Sequence, residues 1–183
     1  MEMTVEQREE LLAQFVTQDG QRLDELMRRR PLLLVFLRHA GCTFCRESLA
    51  DLRRQRRAIE QGGAQIAIVH LSDEAEAAAM FQHYQVDDLP RISDPQGRLY
   101  RAFGLGQGRW RQLLAPKVWW RGIQSAFLEG HGFAPATQNV TQMPGVFLLN
   151  GGQVVHSFRH TTPADRPDYG ALARQCARAT ADS

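Results

Sequence analysis

Three observations in the sequence predict an α/β fold. Leu32-Leu33-Leu34-Val35-Phe36-Leu37 is continuously apolar between Pro31 and Arg38-His39-Ala40-Gly41, as a strand covered on both faces reads. A second run, Gln65-Ile66-Ala67-Ile68-Val69-His70-Leu71, follows after a helical pattern and the breaker Gly62-Gly63. Strand, helix, strand, helix in that order requires right-handed crossovers, hence a parallel pair of strands.

The chain opens with Thr4-Val5-Glu6-Gln7, a T-x-x-Q capping box, and apolar residues recur at Leu11, Leu12, Phe15, Leu23 and Leu26 with Gly20 between them. One or two amphipathic helices are expected, ended by Pro31, because proline cannot continue a helix. From Thr43 to about Glu60, Cys45, Leu49, Leu52 and Ile59 fall on one helical face, with Glu47, Asp51 and several arginines mostly off it. Ser72-Asp73-Glu74 starts another helix, whose Met80 and Phe81 pack back on the sheet. Arg91 to Gly97 reads as a short strand and turn, and Arg98 to Phe103 as a helical stretch.

Residues 104–142 read as an insertion, with a helical element from about 109 to 128 that carries Trp110, Trp119 and Trp120. An ordinary packed helix is preferred there over a substrate entrance, a dimer contact or a membrane-surface helix. Val146 to Leu149 and Gln153 to Phe158, joined through Asn150-Gly151-Gly152, form a hairpin signal. A last helix begins near Asp168 and carries Leu172 and Cys176, the latter read as a small apolar residue. With 183 residues, 43% hydrophobic, the expectation is one domain over 1–183, with a helical lead-in over 1–30.

A net charge of +2 does not point to nucleic acid. The N-terminus is acidic and polar where a signal peptide would be basic and then apolar, and no membrane-length apolar run follows, so a cytoplasmic protein without membrane contact is expected. Three cysteines, two of them in Cys42-Thr43-Phe44-Cys45, suit a compartment where disulfides are transient and catalytic.

The chemistry concentrates in that C-x-x-C. A thiol at a helix N-terminus meets free N–H groups and the positive end of the backbone dipole, which favour thiolate. Cys42, at the cap, is expected to be the exposed nucleophile, and Cys45, on the core side, its resolving partner. A zinc site is disfavoured, because no second C-x-x-C or well-placed histidine pair supplies four ligands. No metal or organic cofactor is called for.

Strand, C-x-x-C, helix, strand, helix, then Met143-Pro144 ahead of a hairpin and a closing helix, resembles the thioredoxin-like fold: a central mixed sheet flanked by helices, here with an N-terminal helical extension and a helical insertion. Phe36 to Glu47, Ser93-Asp94-Pro95 and Pro144 to Phe147 narrow the resemblance to the peroxiredoxin-like branch of the alkyl hydroperoxide reductase and thiol-specific antioxidant superfamily, over about residues 25 to 178. The resemblance implies a peroxidatic or nucleophilic Cys42, a resolving Cys45, a cis Pro144, and Met143 backbone groups that pair with substrate. Arg38, His39 and Thr43 would support the pair, Arg38 by positive potential and His39 either as an imidazolium beside the thiolate or merely as a loop residue.

Two departures stand out. His39 occupies the place where such proteins carry Thr or Ser, and Met143-Pro144 the region where they carry Arg. Both place thiol-disulfide exchange ahead of peroxide turnover. The implied partners are a disulfide or peroxide substrate and an external thiol reductant of the thioredoxin or glutathione kind; a homodimer is compatible. A non-catalytic binding module on the same fold is the alternative from another class.

Overall fold

The computed structural model describes residues 3–40, 42–106, 142–162 and 165–181, with side chains to residue 175. The helical element expected from 109 to 128, Gly41 and the side chain of Cys176 lie outside the described residues. The elements are α1 (Val5–Leu12), α2 (Leu23–Arg29), β1 (Leu32–Phe36), α3 (Thr43–Gln61), β2 (Gln65–His70), α4 (Glu74–His83), β3 (Arg91–Ser93), α5 (Arg98–Ala102), β4 (Gly145–Asn150), β5 (Gln153–Arg159) and α6 (Tyr169–Ala181). Each expected strand and each helix outside the insertion forms, with ends shifted by a residue or two.

The strands join in one mixed sheet in the order β3-β2-β1-β4-β5. β1 is parallel to β2 and antiparallel to β4, with Phe36 opposite both Val69 and Gly145. The sheet has helices on both sides, so alternate residues of β1 enter different cores. Leu33, Val35 and Leu37 pack with α3, α4 and α6, while Leu32, Leu34 and Phe36 pack with α1, α2 and α5. Burial of all five β1 side chains explains the unbroken apolar run, each contributing about 1.5–3 kcal/mol.

Local signals place the flanking helices. The capping box of α1 closes in both directions between Thr4 and Gln7, and Asp73 caps α4 by accepting from Glu76 N–H at 2.8 Å. Gly152, at φ +80° in the β4–β5 turn, lets α1 approach: a Cβ there would lie 2.6 Å from Val5 Cγ1. Glu47 and Asp51 of α3, expected on the solvent side, are buried instead. Arg166, from the segment before α6, explains the difference. It pairs with Glu47 at 2.7 Å and engages Asp51 through two nitrogens, so the carboxylates leave water with their counter-charge.

Candidate functional site

β1 ends under a loop that delivers Arg38, His39 and Cys42 to the start of α3. The loop is pinned from several directions. Leu71 N–H donates to Arg38 O at 2.8 Å and Ala40 N–H to Ser72 Oγ at 2.8 Å, while Arg46 Nε donates to Ala40 O at 3.1 Å. Beneath it the buried Tyr100 hydroxyl donates to the carbonyls of Leu37 and Val69, locking the ends of β1 and β2 together. Tyr100 was not among the sequence candidates; its signal was an aromatic in a short helix whose hydroxyl needed a partner once buried.

Cys42 caps α3 and Cys45 follows one turn on, with Cys45 N–H donating to Cys42 O at 3.0 Å. The expectation that Cys42 is the exposed thiol is corrected. Cys42 is 6% exposed and Cys45 3%, both within the core that α3 shares with the sheet. Phe44 and Ala40, themselves partly buried, pack against that core.

What separates the two thiols is electrostatics. Cys42 is pulled down from 9.0 to about 6, first by a hydrogen bond from Cys45; burial opposes this, and the Arg38 charge with the backbone N–H groups of Cys45 and Phe44 reinforces it. Cys45 moves the other way, well above 9.0, chiefly through burial and then through its bond to Cys42. At neutral pH the site therefore holds Cys42 as thiolate and Cys45 as thiol.

Arg38, expected to support the pair by positive potential, is 6% exposed, with Nη1 directed at Cys42 Sγ at 3.8 Å and its backbone N–H at Cys45 Sγ at 3.1 Å. Among the described residues Arg38 Nε is buried without a partner. His39 does not serve as an imidazolium, because burial, helped by the neighbouring Arg38 charge, lowers it to about 4 and leaves it neutral. Thr43 is buried at the first position of α3.

Met143 and Pro144 reach the same end of the sheet, since Gly145 pairs with Phe36 just before Arg38. Two expectations for them change. The described residues contain no cis peptide bond, so Met143–Pro144 is trans, the ordinary state for X-Pro and one compatible with running straight into β4. Met143 N–H already donates to Gly106 O at 3.1 Å, so this donor is not free for a substrate segment. Among the described residues no group of three or more His, Cys, Asp or Glu could hold a metal, and no helix is long and apolar enough to cross a membrane.

A thioredoxin-type sheet with two unequal thiols at a strand-to-helix turn defines the class: a thiol-dependent oxidoreductase of thioredoxin-like fold. Residues 51–162, more than half of the chain, match the family described as AhpC/TSA antioxidant enzyme. The chain belongs to that family, as a peroxiredoxin-like member. Comparison with curated proteins found no match. Among solved structures, peroxiredoxin Q of Xanthomonas campestris is similar over 90% of this chain and 89% of its own, at 16% identity and a TM-score of 0.62. Peroxidoxin BcpB of Mycobacterium tuberculosis is similar over 90% of each chain, at 16% identity and TM-score 0.61. Reduced Prx3 of Vibrio vulnificus, in complex with H2O2, is similar over 87% and 90%, at 13% identity and TM-score 0.59. At such identities the likeness shows a shared fold. The family match begins at residue 51, after the two cysteines, so their roles rest on the geometry of this chain.

Proposed function

We propose that the chain is a dithiol peroxidase in which Cys42 is the nucleophile and Cys45 the resolving thiol. One observation carries this reading: a buried Cys42, with its pKa lowered to about 6, faces the Arg38 guanidinium at 3.8 Å. A thiol so enclosed is reached more readily by a small oxidant than by the disulfide of a folded protein. Guanidinium N–H groups hold the thiolate and offer further donors to a peroxide oxygen. Burial thus reverses the preference for disulfide exchange that His39 and Pro144 suggested.

In the first step the Cys42 thiolate attacks the outer peroxide oxygen and the O–O bond breaks. Cys42 becomes the sulfenic acid, and the leaving alkoxide or hydroxide takes a proton to become an alcohol or water. This reaction consumes the charge that helped keep Cys45 protonated, so the Cys45 thiol becomes easier to ionise. Cys45 sulfur then attacks Cys42 sulfur, its proton leaves with the hydroxyl as water, and a disulfide forms. An external dithiol returns both cysteines to the reduced state by exchange. Similar proteins support the choice of oxidant: a Xanthomonas campestris structure is described in terms of alkyl peroxide reduction, and the Vibrio vulnificus one binds H2O2.

Reduced protein mixed with H2O2 or cumene hydroperoxide, followed by mass mapping, provides the test. Wild type is expected to lose one peroxide per Cys42–Cys45 disulfide formed, Cys45→Ser to stop at the sulfenic acid, and Cys42→Ser to be inert. Failure of reduced wild type to consume either peroxide, with rapid reduction of a small disulfide instead, refutes the peroxidase and favours disulfide exchange.

A further inference from the structure

Resolution requires a buried thiol to take on charge. Cys45 is 3% exposed and burial, the leading cause, holds it well above 9.0, yet its sulfur becomes negative as it attacks Cys42. A thiolate withdrawn from water needs protein donors in water's place. One such donor is the backbone N–H of Arg38, directed at Cys45 Sγ at 3.1 Å, and this bond favours the thiolate. The ionisable groups that face Cys45 are Cys42 and Arg38 beside it, Tyr100 from α5 and Tyr169 from α6.

Tyr100 holds the other end of the same peptide group. Arg38 N–H and the Leu37 carbonyl belong to one planar unit, and the Tyr100 hydroxyl donates to that carbonyl. Among the described residues no other donor reaches Leu37 O. Val69 O, the second acceptor of the hydroxyl at 3.1 Å, already takes Leu37 N–H at 2.8 Å. A continuous chain results, from Tyr100 O–H to Leu37 C=O and from Arg38 N–H to Cys45 Sγ. Donation to a peptide oxygen draws electron density from the N–H of that peptide and makes it a stronger donor. It also fixes the peptide plane, so the N–H keeps its aim at sulfur. Tyr100 is itself firmly placed. It is 0% exposed, and burial holds its phenol well above 10, so the hydroxyl keeps its proton. Asp94 accepts from the N–H groups of Arg98 at 3.0 Å and Leu99 at 2.8 Å, which anchors α5, and the Phe36 ring meets the Tyr100 ring edge-on at 5.0 Å.

We propose that Tyr100 is a positioning residue for the resolving step: through the Leu37–Arg38 peptide it aims and strengthens the N–H that stabilises negative charge on Cys45. This role rests on the dithiol reading above. In the step concerned Cys45 gives up its proton and its sulfur bonds to Cys42 sulfur. The S–O bond of the sulfenic acid breaks, and the hydroxyl leaves with that proton as water. Tyr100 touches none of the reacting atoms and acts through the peptide alone.

Tyr100→Phe removes the hydroxyl and keeps the ring. In a Cys42→Ser background, iodoacetamide modification of Cys45 is followed across pH by mass mapping. Adding Tyr100→Phe is expected to raise its midpoint by about half a unit to one unit, as loss of a polarised donor to the thiolate would. With Cys42 present, H2O2 and dimedone are added to reduced protein. Tyr100→Phe should then slow disulfide formation about three- to tenfold, the same shift expressed as a rate, and slow peroxide consumption less, so that dimedone traps more Cys42 sulfenic acid. The Cys42 alkylation midpoint should move less than that of Cys45. A merely structural role would loosen the whole loop, Arg38 included, and raise both midpoints alike. An unchanged Cys45 midpoint in folded Tyr100→Phe, or a rise at Cys42 equal to that at Cys45, overturns the proposal. A fluorotyrosine placed at position 100, a stronger O–H donor of nearly the same shape, supplies the test if Tyr100→Phe does not fold: the Cys45 midpoint should fall, and a midpoint that stays or rises overturns the proposal. Failure of the wild type to consume H2O2 refutes the peroxidase alone, because the Cys45 midpoints are read without peroxide and still decide the role of Tyr100.

Discussion

Replacing Arg38 by Met keeps a long, flexible, buried side chain and removes its charge. At 3.8 Å from Cys42 Sγ, and with an effective dielectric constant near 20, the attraction between guanidinium and thiolate is about 4 kcal/mol, a ceiling of roughly three pKa units. The realised effect is smaller, since the hydrogen bond from Cys45 is the leading cause of the lowered value and remains in the variant. A rise of about one to two units is expected, in the range for an opposite charge at this distance. The Cys42 midpoint then moves from about 6 to about 7–8. At pH 7 the thiolate fraction falls from about nine-tenths to between about one-tenth and one-half, so alkylation slows about two- to tenfold; near pH 9.5 the two proteins react almost alike. Folding should survive, because the buried Nε without a partner leaves with the side chain. The assay is the rate of iodoacetamide modification at Cys42, mapped by mass spectrometry across pH. A midpoint that stays in place or moves down refutes the role given to Arg38.

Three further outcomes follow from the same geometry. Cys45→Ala should raise the Cys42 midpoint, and Cys45→Ser should raise it less by about one unit, because a hydroxyl still donates to the thiolate; equal midpoints would remove the hydrogen bond as the leading cause. His39→Gln should leave the alkylation midpoint near 6, since the imidazole is already neutral there, and a rise of a unit or more would show that it carried charge. His39, His70 and His160 are each lowered from 6.5 to about 4, mainly by burial. The unfolded chain then binds more protons than the native one between these values, so stability rises with pH through that window and is lost as pH falls from about 6.5 towards 4. Urea midpoints measured across the window should show the decline, and a flat profile would contradict it.

Much of the architecture was legible because it rests on local chemistry and short-range patterning. The Thr4–Gln7 box, the apolar β1 run, the Gly-rich turn at 151–152 and the helical spacing of Cys45, Leu49, Leu52 and Ile59 each involve neighbours within a turn or a strand, and all form as expected. The buried acids of α3 were not legible. Glu47 and Asp51 look like solvated charges until Arg166, more than a hundred residues away in the chain, supplies their counter-charge.

The sequence by itself determined that two thiols stand one turn apart where a strand gives way to a helix in an α/β fold, since spacing, cap position and periodicity are properties of adjacent residues. It could not determine the environment of those thiols. Whether Cys42 sees water or protein, whether Arg38 turns outward or onto sulfur, and whether His39 carries a charge depend on what the rest of the chain packs around them. Desolvation and Coulomb interaction are set by distance in space and not by distance in sequence. The tertiary structure buries both cysteines, aims Arg38 at one of them and leaves His39 neutral, so the asymmetry of the pair is electrostatic and not a matter of exposure.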